Sequence, residues 1–96
     1  MATLNVTLSQ SIEYQDAPIG ATFEFQSLEA DQTTVIEDVA SADAVVSIAE
    51  AFPGKAPGFT GYIRVRSVDG GPGNWSLNDQ VNIVAPPPPT NPIVID

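Results

Sequence analysis

Few residues in this chain have types and spacing that could do chemistry. One lysine, Lys55, stands in the proline–glycine loop FPGKAPG, and histidine and cysteine are both missing from the sequence. A serine nucleophile without histidine would need that lysine as its activating base, and a solitary lysine in such a loop is slight support for catalysis. Two carboxylate pairs, Glu37 with Asp38 and Glu29 with Asp31, have the composition of a glycosidase pair. Neighbouring acids on an exposed edge more commonly serve solvation. Calcium accepts carboxylate and carbonyl oxygens alone, but EADQ (29–32) and VDGGPGN (68–74) lack the dense Asp/Asn spacing of a dedicated loop. The GGPG run has no Lys-Ser/Thr after it and no helix pattern to follow, so it does not form a nucleotide loop. The expectation is a protein that is not an enzyme, with no cofactor and no metal.

Composition narrows the partners. Twelve acids face three cations, Lys55, Arg64 and Arg66, for a formal net charge of −9. Phosphate recognition depends on clustered Lys and Arg, so nucleic acid is not an expected partner, and the same excess repels anionic lipid surfaces. Apolar residues make up 43 % of the chain and charged residues 16 %, the balance of a folded protein. Ninety-six residues suit one domain with one modest core. The N-terminal MATLNVTLSQ has no basic region, apolar run or small-residue cleavage pattern, which predicts synthesis in the cytoplasm without a signal peptide. No apolar run approaches the roughly 20 residues that span a bilayer.

The elements that must carry these residues are strands. Leu4, Val6, Leu8, Ile12 and Tyr14 share one phase of a period-two pattern, which predicts a long first strand bent near Gln10. After the DAPIG turn, Phe23 and Phe25 alternate with Thr22, Glu24 and Gln26. TTVIEDV is a shorter, acid-bearing run suited to a sheet edge. SADAVVSIAEAF is ambiguous: Ser41 and the alanines favour a capped helix, Val45, Val46 and Ile48 a strand, and strand is the reading adopted. GYIRVRSV returns to alternation, with Ile63, Val65 and Ser67 on one face and Tyr62, Arg64, Arg66 and Val68 on the other. DQVNIVA supplies a last strand. Some six or seven short strands separated by turns predict an all-β sandwich over residues 1–85. Pro86, Pro87, Pro88 and Pro89 open a proline-rich stretch that favours a polyproline II rod at about 3.1 Å per residue. Residues 86–96 are therefore expected to form an extended arm tipped by Ile93, Val94 and Ile95, with nothing obvious to pair with in its own domain.

The stretch GYIRVRSVDGGPGNWSLNDQVNIV resembles the end of a fibronectin type III domain: a tyrosine-led strand, a glycine-containing loop, Trp-Ser, and a final strand. The resemblance spans about residues 20–84 and is specific over 61–84. It implies an antiparallel immunoglobulin-like sandwich in which Ile63, Val65 and Ser67 point inward, residues 70–74 form the loop, and Trp75 covers an open end. Two positions depart from the pattern. The family's corner tyrosine falls at Gly61, with Tyr62 in the opposite phase, and the usual tryptophan of the second strand is absent from LNVTLSQSIEYQ, leaving Leu, Val and Phe to fill the core.

Function then has to come from surfaces. Fibronectin-like and immunoglobulin-like modules are widespread on phage particles, so the resemblance implies a non-catalytic structural protein of a bacteriophage or phage-like particle: a capsid decoration, tail or fibre-associated subunit located on the virion. Its partners would be other virion proteins or copies of itself. In that reading Ile93, Val94 and Ile95 add as a strand to a neighbouring subunit, presented by Pro86 to Pro89. Arg64 and Arg66 either pack their stems across acids such as Glu24 or form a cationic strip for an acidic partner. The alternative is a carbohydrate-binding or cell-surface adhesion module, with Trp75, Tyr62 and the loop aromatics Phe52 and Phe59 as an apolar platform for a host-surface glycan. An ordinary cytoplasmic interaction domain is the third reading.

Overall fold

The structure is a computed structural model that describes residues 3–15, 22–68, 73, 75–76, 78–86 and 92–95. It is mostly strand, in two sheets, with one short helix. The chain runs β1 (Thr3–Val6), β2 (Ser11–Tyr14), β3 (Phe23–Leu28), β4 (Val35–Ser41), β5 (Val45–Ser47), α1 (Ile48–Ala51), β6 (Thr60–Ser67), β7 (Asp79–Ile83) and β8 (Ile93–Ile95). One sheet has the order β1-β7-β6-β3-β4 and the other β5-β2-β8. The two facing sheets share one core. Leu4, Val6, Phe23, Phe25, Ile63, Val81 and Ile83 come from the larger sheet, Ile12, Val46 and Ile95 from the smaller, and Ile48, Ala51 and Phe52 from α1 and its end. The inward sides of β3 and β6 are those the alternation predicted, and β4 is an edge strand of the larger sheet, with Glu37 and Asp38 exposed.

Three expectations need correction. The long first strand is two strands in different sheets. Thr7–Gln10 forms a turn in which Gln10 N donates to Thr7 O at 3.1 Å and the buried Gln10 side chain accepts from Thr7 N at 2.9 Å. The chain thereby crosses from one sheet to the other, and Leu8, in phase with the core, is left 37 % exposed. The segment 41–52 is part strand and part helix: β5 stops at Ser47, whose hydroxyl accepts from Glu50 N at 3.3 Å and caps α1, so Ser47 and not Ser41 is the capping residue.

The third correction concerns the C-terminal tip, which has a partner in its own chain. β8 pairs in parallel with β2 in the register Ile12↔Ile93, Glu13↔Val94, Tyr14↔Ile95, and Gln15 N donates to Ile95 O at 2.8 Å. Ile95 enters the core, Ile93 is half-buried and Val94 faces out, so burial of one side of the three-residue strand is what seats it.

Candidate functional site

The outer face of the larger sheet brings together most of the polar side chains singled out in the sequence. β3 and β6 are antiparallel neighbours with Glu24 opposite Arg66 and Gln26 opposite Arg64. Arg66 meets Glu24 in an ion pair at 2.7 Å, and its Nε donates to Glu24 Oε1 at 2.8 Å. Arg64 Nε donates to Gln26 Oε1 at 2.9 Å, and Gln26 Nε2 donates in turn to Asp38 Oδ1 on β4 at 3.0 Å. A polar row therefore crosses three strands. Both guanidinium carbons lie against the indole of Trp75, at 4.5 Å for Arg64 and 4.2 Å for Arg66.

The segment before β7 places Trp75 there. Ser76 N donates to Val65 O at 2.8 Å and Val65 N donates to the Ser76 hydroxyl at 3.0 Å, which fastens this segment along β6. Trp75 thus lies over the arginines on the sheet's outer face and does not close the end of the sandwich, as the sequence had suggested. Tyr62 is half-buried on the same strand, in the same phase as Arg64, and pairs in register with Leu28 and Gln80. The half-buried Trp75 ring carries two cations. The proposed cationic strip is likewise engaged within the chain by Glu24, Gln26 and Trp75.

The remaining candidates are dispersed. Lys55 pairs with Glu29 at 3.4 Å and lies 4.7 Å from the Phe59 ring centroid. Asp31 accepts from Thr33 N and Thr34 N, each at 2.9 Å, and from the Thr34 hydroxyl at 2.6 Å. Those bonds, the Thr34 hydroxyl first, hold its carboxyl below the usual carboxylate range. Phe52 is buried in the core and tilts against Phe59 at 5.7 Å. Among the described residues no group of three or more acids is placed to hold a metal ion, and no helix is long and apolar enough to cross a membrane. Pro86 is exposed, while Pro87, Pro88 and Pro89 and most of the 70–74 loop lie outside the described residues.

The sequence reading passed over one polar pair that joins the two sheets. The Tyr14 hydroxyl on β2 donates to Asp79 Oδ2 on β7 at 2.6 Å, and Asp79 is only 5 % exposed. Burial first, then the bond to Asp79 and its charge, push the Tyr14 hydroxyl pKa far up. The tyrosine ring also packs on Phe25 at 5.8 Å. Tyr14 in phase with Ile12 was visible in the sequence; that an acid opposite it would be buried was not.

No family model, curated protein or solved structure matches this chain.

Proposed function

We propose that this chain is a non-catalytic structural protein that acts through protein–protein contacts, as a decoration, tail or fibre-associated subunit of a bacteriophage or phage-like particle. The observation that carries the contact role is the state of the sheet edges. β4 and β8 each have one side paired within the chain, and they carry two of the exposed large apolar side chains, Val35 at 43 % and Val94 at 48 %. An edge strand with apolar side chains offers backbone pairing for affinity and alternate side chains for register. Lys55, Glu29, Asp31 and Asp38 are meanwhile engaged in bonds within the chain. An immunoglobulin-like, fibronectin type III-like reading of the sandwich draws its support from the facing five-stranded and three-stranded sheets and from the resemblance over 61–84.

The particle setting rests on that resemblance and has a direct test. Quantitative mass spectrometry of purified particles from the source is expected to find this polypeptide in fixed proportion to the major capsid protein. Its absence from clean particles would overturn the setting and return the chain to the class of general interaction domains.

A further inference from the structure

The larger sheet ends at β4, and no strand among the described residues pairs with the far side of β4. β4 has seven residues, whereas the other edge strands, β1, β5 and β8, have three or four. The ladder fixes which backbone groups β4 leaves open. Val68 N donates to Thr22 O at 3.0 Å, one step beyond the Phe23↔Ser67 pair of β3 and β6. Successive residues of a strand turn their N–H and C=O groups to opposite sides, so Glu24 and Gln26 bond to β6, while Phe23, Phe25 and Ser27 bond to β4. The bond from Glu29 N to Thr34 O at 2.9 Å continues that alternation. Ser41, Val39 and Glu37 therefore face β3, and Asp38 and Ala40 between them turn N–H and C=O to the open side. The register shifts beside Leu28 and passes over Ile36, so the regular open stretch is 37–41.

Charge limits what can pair there. Glu37 and Asp38 are both exposed, and the exposed Asp31 and Asp43 stand in the segments on either side of β4. The three cations of the chain are engaged elsewhere: Lys55 with Glu29, Arg66 with Glu24, and Arg64 with Gln26 and Trp75. A second copy would bring the same two carboxylates to the seam and no free cation to offset them, and like charges across a strand pair are destabilising. A strand bearing Lys or Arg removes that penalty and gains opposite-charge pairs. Val39 is half-buried against the core, and the place beside it suits an apolar side chain. The open backbone supplies affinity and the acids select what joins it. We propose that residues 37–41 accept an added antiparallel strand from a partner protein, with Lys or Arg opposite Glu37 and Asp38 and an apolar residue opposite Val39. This inference rests on the reading of the chain as a protein that acts through contacts at its sheet edges.

The test follows amide hydrogen exchange by NMR in the full-length, isotope-labelled protein. The probe is the peptide acetyl-Thr-Thr-Val-Val-Lys-Lys-Thr-amide, and its control carries glutamate in place of both lysines. Exchange at the Asp38 and Ala40 amides, which point to the open side, is expected to slow several-fold as the lysine peptide saturates. Val39, already bonded to β3, should change least, and the glutamate peptide should protect neither open amide. The Glu37→Lys/Asp38→Lys variant is expected to lose about tenfold in affinity for the lysine peptide and to take the glutamate peptide instead. The contrast between the two peptides on the unaltered protein stands without that variant. Equal protection by both peptides, or binding of the lysine peptide without protection at Asp38 and Ala40, would overturn the proposal. So would the absence of any saturable change. Protection of the same two amides that rises with protein concentration alone would assign the edge to a second copy and overturn the basic partner. In each of these cases membership of a particle still stands on its own mass-spectrometric measurement.

Discussion

At the scale of single residues, the polar groups are mainly fasteners. Trp75 is held by two cation–π contacts, each worth about 0.5–1 kcal/mol at a partly exposed site. Trp75→Ala is therefore expected to lower stability by about 1–2 kcal/mol in urea titration while the far-ultraviolet spectrum of the strands persists. With the ring already carrying guanidinium groups, Trp75 fluorescence is expected to stay unchanged on titration with glycans. Saturable quenching would restore the carbohydrate-binding alternative. Tyr14 gives a pH signature. Its hydroxyl is kept neutral in the fold well beyond the ordinary value of 10.0, so above that pH the unfolded chain releases a proton that the folded chain retains. Deprotonation then favours the unfolded state, and stability falls by up to about 1.4 kcal/mol per pH unit above pH 10. Tyr14→Phe should remove that slope and, by leaving the buried Asp79 without this donor, cost about 1–3 kcal/mol at neutral pH.

At the scale of elements, crowding around β6 fixes a glycine at position 61. A Cβ at this position would lie 2.6 Å from the Leu28 carbonyl oxygen, 2.8 Å from Phe59 Cε2 and 3.1 Å from Phe52 Cε1. The two phenylalanines and the backbone of β3 occupy the space that a side chain would need. Gly61→Ala is expected to destabilise the fold by about 1–3 kcal/mol, as overpacking does. Trimming Phe59 in the same protein should restore only part of the loss, because the Leu28 carbonyl remains; full rescue would show that the aromatic contact alone sets the constraint.

For the whole molecule, the placement of β8 decides what truncation does. A free arm could be removed without effect on the sandwich, but Ile95 is 9 % exposed and Ile12, on the strand that it covers, is fully buried. Ending the chain at Ala85 is expected to cost about 1.5–3 kcal/mol, the worth of burying one isoleucine, and to leave the β2 backbone open. Chemical denaturation of the truncated chain measures this. An unchanged midpoint would mean that β8 contributes nothing to the fold.

Where alternation, a local property of the chain, was the controlling signal, the buried faces could be read from the residues alone. Phe23 with Phe25 and Ile63 opposite to Arg64 could be assigned from period two, and the edge at Glu37 and Asp38 from its load of acids. Tertiary structure decided what depends on partners distant in the chain. The Thr7–Gln10 turn contains neither glycine nor proline, so the sequence suggested a bend near Gln10 but not the step that sends β1 and β2 to different sheets. The same dependence on distant groups governs Ser47, which caps a four-residue helix that packs Ile48 and Ala51 into the core, and Trp75, which is seated by two arginines and by the bonds of its neighbour Ser76 to Val65. Ile93–Ile95 was recognisable as a strand, but its partner was not, because pairing is set by which edge lies within reach and offers a buried place for Ile95.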